Sequence, residues 1–151
     1  MNIEFEILRK SRNSILEIID GYSIAQLNKV PAGFNNNIVW NIAHLVVTQQ
    51  LLCYNFSGLD ISVSDEMVAR FRKGTAPLKL VSEVDFEAYK RMFVELPLQL
   101  ERDYEIGVFK KYHEYTTSLN VKIIDIDSAI GFNNYHEGIH LGVILGIVKL
   151  I

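Results

Sequence analysis

An all-α fold, a bundle of four long helices, is what this chain of 151 residues predicts. Three observations carry that expectation. Apolar residues recur at helical spacing in four long stretches. Each stretch offers one apolar stripe, and packing four stripes together is the economical way to bury them. The third observation is the length of the middle connection, residues 58–82. Antiparallel neighbours in a bundle need only about 2–8 linking residues. A helix of about 20 residues is about 30 Å long, and this connection is long enough to travel back along it. Helices two and three are therefore allowed to run parallel, joined by a crossover.

The first helix is expected from Ile3 to Asp20, with Phe5, Leu8, Arg12, Ile15 and Ile19 on one stripe and Gly21 ending it. One short turn is expected at Ile24–Leu27. The second helix starts after Asn35-Asn36-Asn37, whose side chains serve as N-caps, and runs to about Phe56 before Ser57-Gly58. The crossover holds a possible short helix at Asp65–Arg72 and then Gly74-Thr75-Ala76-Pro77. The third helix begins at Ser82, with Asp85 completing a weak capping box. Its stripe is Phe86, Tyr89, Phe93, Leu96 and Leu100, and Pro97 within it predicts a kink or an early break. Residues 112–117 read as a short strand or an irregular lid. The fourth helix begins near Asp125 and runs almost to Ile151.

Composition excludes several function classes. At 49% hydrophobic and 22% charged residues the chain is ordinary for a globular domain, expected as one unit over 1–151. The net charge of −3 comes without any block of like charges, so neither nucleic acid nor an anionic membrane surface is an expected partner. No apolar run approaches the ~18 residues of a membrane span. The N-terminus opens on an amphipathic pattern, so no signal peptide is expected. The single cysteine, Cys53, excludes an intramolecular disulfide and reads as a buried, inert thiol. Cytoplasm is the expected compartment.

Chemistry concentrates in His136-Glu137-Gly138-Ile139-His140. Histidines at i and i+4 on a helix point the same way, one turn apart, and offer two nitrogens to one metal ion. His44, in the second helix, is the third candidate. Three imidazoles with an open position form a catalytic arrangement, unlike closed four-ligand structural sites. The residues alone also fit the alternative of core histidines held by ordinary hydrogen bonds. His113 lies outside the helical patterns and reads as a surface or lid residue. The motif formally matches the zinc-protease pattern with Glu137 as general base. Such enzymes take a third ligand downstream, and Leu141–Ile151 contains no His, Asp or Glu. Asn41, one turn before His44, and Glu137 are candidates to orient the imidazoles; a surface role near the helix N-terminus for Asn41 and a solvent-facing position for Glu137 are the alternatives. Trp40 and Tyr135, near the histidine level, read as core aromatics, with a place in the pocket wall against substrate as the alternative, and Arg12 as a surface arginine with its stem along apolar surface or a contact for an anionic substrate.

At these residues the chain resembles the DinB-like superfamily of four-helix metal-binding proteins, with its YfiT-like and bacillithiol-transferase-like groups. Asn36-Asn37-Ile38-Val39-Trp40-Asn41-Ile42-Ala43-His44, Ser57-Gly58-Leu59, Phe71-Arg72-Lys73-Gly74-Thr75-Ala76-Pro77 and His136-Glu137-Gly138-Ile139-His140-Leu141-Gly142 carry the likeness. It spans nearly the whole chain, and the order and spacing of the pieces are more specific than any one of them. The resemblance implies an up-down-down-up bundle. It also implies a single divalent ion, nickel or zinc, on His44, His136 and His140, with water completing the shell. It further implies a homodimer. Its thiol S-transferases point to a small-molecule substrate and a low-molecular-weight thiol as co-substrate. A metal-dependent hydrolase and a non-catalytic metal-binding domain are the alternatives, because fold and site transfer better than reaction does.

Overall fold

The computed structural model describes residues 3–151, and its long helices follow the hydrophobic stripes. Helix α1 (Ile3–Ile19) buries Phe5, Leu8, Arg12, Ile15 and Ile19. A four-residue helix α2 (Ile24–Leu27) follows, opened by a reciprocal capping box between Ser23 and Gln26. Helix α3 (Ile38–Gln49) starts where the Asn37 side chain accepts the Trp40 backbone N–H at 2.8 Å. Its residues Ile38 to Val47 are all buried, so it is the central element of the bundle.

The second helix does not keep one pitch. It widens to a π turn over Gln50–Tyr54, tightens to a 3₁₀ turn over Asn55–Ser57 and stops at Gly58, whose φ of 70° is left-handed. Such a φ suits glycine because it lacks a Cβ. Helix α4 (Asp65–Phe71), capped by Ser64, lies in the crossover. Helix α5 (Glu83–Glu105), capped by Ser82, runs through Pro97 without the expected break. Proline cannot donate to the carbonyl four residues back. Here that carbonyl, on Phe93, instead accepts Nη1 of Arg12 at 3.0 Å. Residues 112–117 fall partly in a two-stranded antiparallel ribbon, β1 (Tyr115–Thr116) with β2 (Lys122–Ile123), in register Tyr115↔Ile123. Helix α6 (Ile126–Ile147), with Asp125 and Ser128 forming its cap, ends a turn earlier than the apolar pattern.

Side-chain pairs give the directions. Glu4–Asn134, Arg12–Glu137 and Tyr22–Val148 climb together, so α1 and α6 run the same way. Gln49–Leu96 and Tyr54–Asp103 do the same for α3 and α5. Asn41–His140 and His44–His136 run in opposite senses, making α3 and α6 antiparallel. Parallel α3 and α5 are what the long connection between them serves. No helix among the described residues is long and apolar enough to cross a membrane.

Candidate metal centre

Three imidazoles from two helices converge. Nε2 of His136 lies 3.2 Å from Nε2 of His44 and 3.1 Å from Nε2 of His140. The two α6 histidines meet because four residues make about one turn, and antiparallel α3 brings His44 to the same level.

The opposite ring nitrogens define the chemistry. His44 Nδ1 lies 2.6 Å from the carbonyl oxygen of Phe71, and His140 Nδ1 lies 2.6 Å from Oδ1 of Asn41. Asn41 Nδ2 donates to the Asn37 carbonyl and to Asn36 Oδ1, which turns its oxygen toward the imidazole. Both acceptors require Nδ1–H, so both Nε2 atoms present bare lone pairs to the centre. His136 has no such partner: its Nδ1 is buried and unpaired among the described residues. A proton on His136 Nε2 satisfies one facing lone pair at a time, whereas a cation satisfies three.

The spacing fits that cation. Ligands at about 2.1 Å in a tetrahedron stand about 3.4 Å apart, close to the separations found here. The donor set also fits, since neutral imidazole suits zinc and nickel. The fields keep the rings neutral. Burial pushes His136 down to about 3, helped by His140, His44 and Lys73. Burial and then His44 push His140 down to about 4. Burial also lowers His44, partly offset by the Phe71 carbonyl. Neutral rings are the form that binds metal.

The structure corrects three expectations around this cluster. Glu137 is not beside the imidazoles. Successive helical residues point about 100° apart, so when His136 faces α3 Glu137 faces α1, and its carboxylate is buried against Arg12 at 2.7 Å. It therefore orients no imidazole, and it is no free base of the protease kind. Arg12 is neither on the surface nor open to substrate: it is fully buried, donating to Glu137, Phe93 and Leu45 and lying 4.5 Å over the Phe93 ring. Tyr135 is exposed beside Phe132 rather than in the core.

Other residues stand where expected. Trp40 is buried and stacks on His44, ring centres 4.5 Å apart at 11°, with its indole N–H donating to Thr75. His113 is exposed. Cys53 is buried, and burial pushes its thiol up to about 12. Thr48 was not foreseen: its Oγ1 lies 3.4 Å from His44 Nε2. Its signal was present in the sequence, one turn after His44 on the same face. Among the described residues no carboxylate or thiol joins the three histidines as a further candidate ligand.

The cluster and the helical frame together fit a metal-binding protein. No curated protein matches the chain. The DinB superfamily matches it over residues 7–144, and that span contains all three histidines and nearly all of the long helices that frame them. The chain belongs to the DinB superfamily.

Proposed function

We propose that this protein is a divalent-metal-dependent transferase that uses a low-molecular-weight thiol at His44, His136 and His140. The convergence of three Nε2 atoms, two of them fixed as lone-pair donors by Phe71 and Asn41, is the observation that carries the reading. When bound, a nickel or zinc ion favours the thiolate form of a ligating thiol. The chain's own residues do the rest. Phe71 and Asn41 hold two imidazoles in the tautomer that accepts metal, Trp40 covers one face of His44 against water, and Thr48 places a hydroxyl at the metal-facing edge. The thiol proton leaves to solvent, a C–S bond forms and the leaving group departs from the electrophile.

The missing carboxylate favours this reading over hydrolysis. Activating a water is helped by a nearby general base, and Glu137, the nearest carboxylate along the chain, is committed to Arg12. A thiol needs no such base once a cation stabilises its thiolate. Reduced small thiols are abundant in the cytoplasm, the compartment this reading assigns. A homodimer belongs to the same reading and is checked by light scattering.

The test uses protein purified without a histidine tag. Elemental analysis is expected to find about one nickel or zinc per chain. A panel of cellular thiols is then assayed with a chromogenic aryl chloride. His136→Ala is expected to abolish metal-dependent transfer while the circular dichroism spectrum is kept. Transfer retained in His136→Ala refutes the proposal. Metal binding without transfer to any electrophile leaves the non-catalytic reading in its place.

A further inference from the structure

A cavity of about 630 Å³ lies beside the histidine cluster and not over it. That volume is in the range of small-molecule sites. None of the three histidines lines it, yet two residues are shared. Trp40 stacks on His44 and faces the cavity; Phe71 accepts from His44 and faces the cavity too. The cavity therefore shares a wall with the cluster without containing it.

Its lining has two characters. Trp40, Phe71, Leu78 and Val81 give it an apolar side. Arg70 and Lys79 give it two cations against one carboxylate, Glu66. The Arg70 guanidinium lies 5.1 Å from the centre of the Phe71 ring, which places a positive charge at the edge of the apolar surface. Among the described residues neither Arg70 nor Lys79 has an ion-pair partner within 4.0 Å.

One wall is a strap. Thr75 is tied by its hydroxyl to the carbonyls of Arg70 and Arg72 and accepts from Trp40. Val81 is tied through both backbone groups to the Asn28 side chain. No hydrogen bond among the described residues holds 76–80 between those two anchors. In that strap Leu78 is 92% exposed although it lines the cavity. Exposing so large an apolar side chain is unfavourable, and an apolar body inside the cavity would cover it.

We propose that this cavity binds an amphiphilic carboxylate, its apolar body against Trp40, Phe71 and Leu78 and its acid group between Arg70 and Lys79. The site needs no metal and works beside the histidine cluster through the Trp40 wall.

Trp40 is the only tryptophan in the chain, so its emission reports the cavity directly. The full-length protein is titrated with octanoate and, separately, with the uncharged 1-octanol, each with and without a chelator. Octanoate is expected to change the emission saturably, and equally in both conditions. In the Arg70→Gln/Lys79→Gln double variant octanoate binding weakens at least about tenfold, the loss of a charge-assisted contact, while octanol binding is unchanged. Ala69→Phe, which fills the cavity, abolishes both. Should that variant not fold, the charge variant decides alone, since Lys79 is exposed and Arg70 half-buried. Absence of saturable octanoate binding overturns the proposal, as does equal affinity in the charge variant. Binding that disappears with the chelator also overturns it, because the carboxylate then sits on a metal. None of these outcomes bears on metal binding by the histidines, which elemental analysis measures separately.

Discussion

Replacing Glu137 by glutamine tests the arrangement that holds the bundle behind the histidines. Arg12 is fully buried, and Glu137 supplies its countercharge through contacts of 2.7, 3.2 and 3.3 Å. Glutamine keeps the shape and removes the charge. An uncompensated buried guanidinium costs about 3–5 kcal/mol. In a domain of this size each kcal/mol lowers Tm by about 2–4 °C, so Glu137→Gln is expected to lose about 6–20 °C. Replacing both partners, Arg12→Met with Glu137→Leu, removes the stranded charge and recovers part of that loss. A remainder of about 1–3 kcal/mol persists, because the Phe93 carbonyl lies opposite Pro97 and has lost its donor. Adding Pro97→Ala to the double variant restores an N–H four residues on and recovers that remainder. Differential scanning calorimetry of the four proteins, at equal metal loading, reads the series. A Tm of Glu137→Gln within about 2 °C of the parent refutes the reasoning. Unchanged stability with lost metal binding refutes it too, since it would put Glu137 back in the site.

Three further outcomes follow from the geometry. His136 and His140 are held at about 3 and about 4 in the fold, and His44 is lowered. The unfolded chain therefore binds more protons below the ordinary histidine range. Metal-free protein should be insensitive to these groups above pH ~6.5 and lose up to about 1.4 kcal/mol per pH unit for each histidine below it; a flat urea midpoint between pH ~7 and ~5 contradicts this. Asn41→Leu removes the acceptor on His140 Nδ1 and should weaken zinc or nickel binding about 10–100-fold by chelator competition; unchanged affinity contradicts the role given to Asn41. Gly131 sits exposed in the body of α6, and a Cβ added there would meet no atom within 4 Å, so Gly131→Ala should raise stability by about 0.5–1 kcal/mol in denaturant titrations.

The three histidines were legible as candidates because their helical settings are local. His136 and His140 are ligand-spaced in any helix, and the apolar periodicity around His44 assigned it to a helix as well. Residues whose role is set by a distant partner were not legible. Arg12 occupies a stripe position that reads as a surface charge until Glu137, 125 residues away, is brought to it. Glu137 lies between two site histidines in the chain and yet faces another helix. Pro97 reads as a break because its missing donor is visible in the sequence, while the arginine that satisfies the Phe93 carbonyl is not.

By itself, the amino-acid order determined the four stripes, the caps at Asn37 and Ser82, and the pair of imidazoles one turn apart, since each depends only on helical period and neighbours a few residues away. Tertiary structure alone decided that α3 places His44 within reach of that pair, that Phe71 and Asn41 set the tautomers, and that a cavity opens beside Trp40. Those facts depend on which helix faces which, and that is set by the sum of buried contacts over the whole bundle rather than by any one segment.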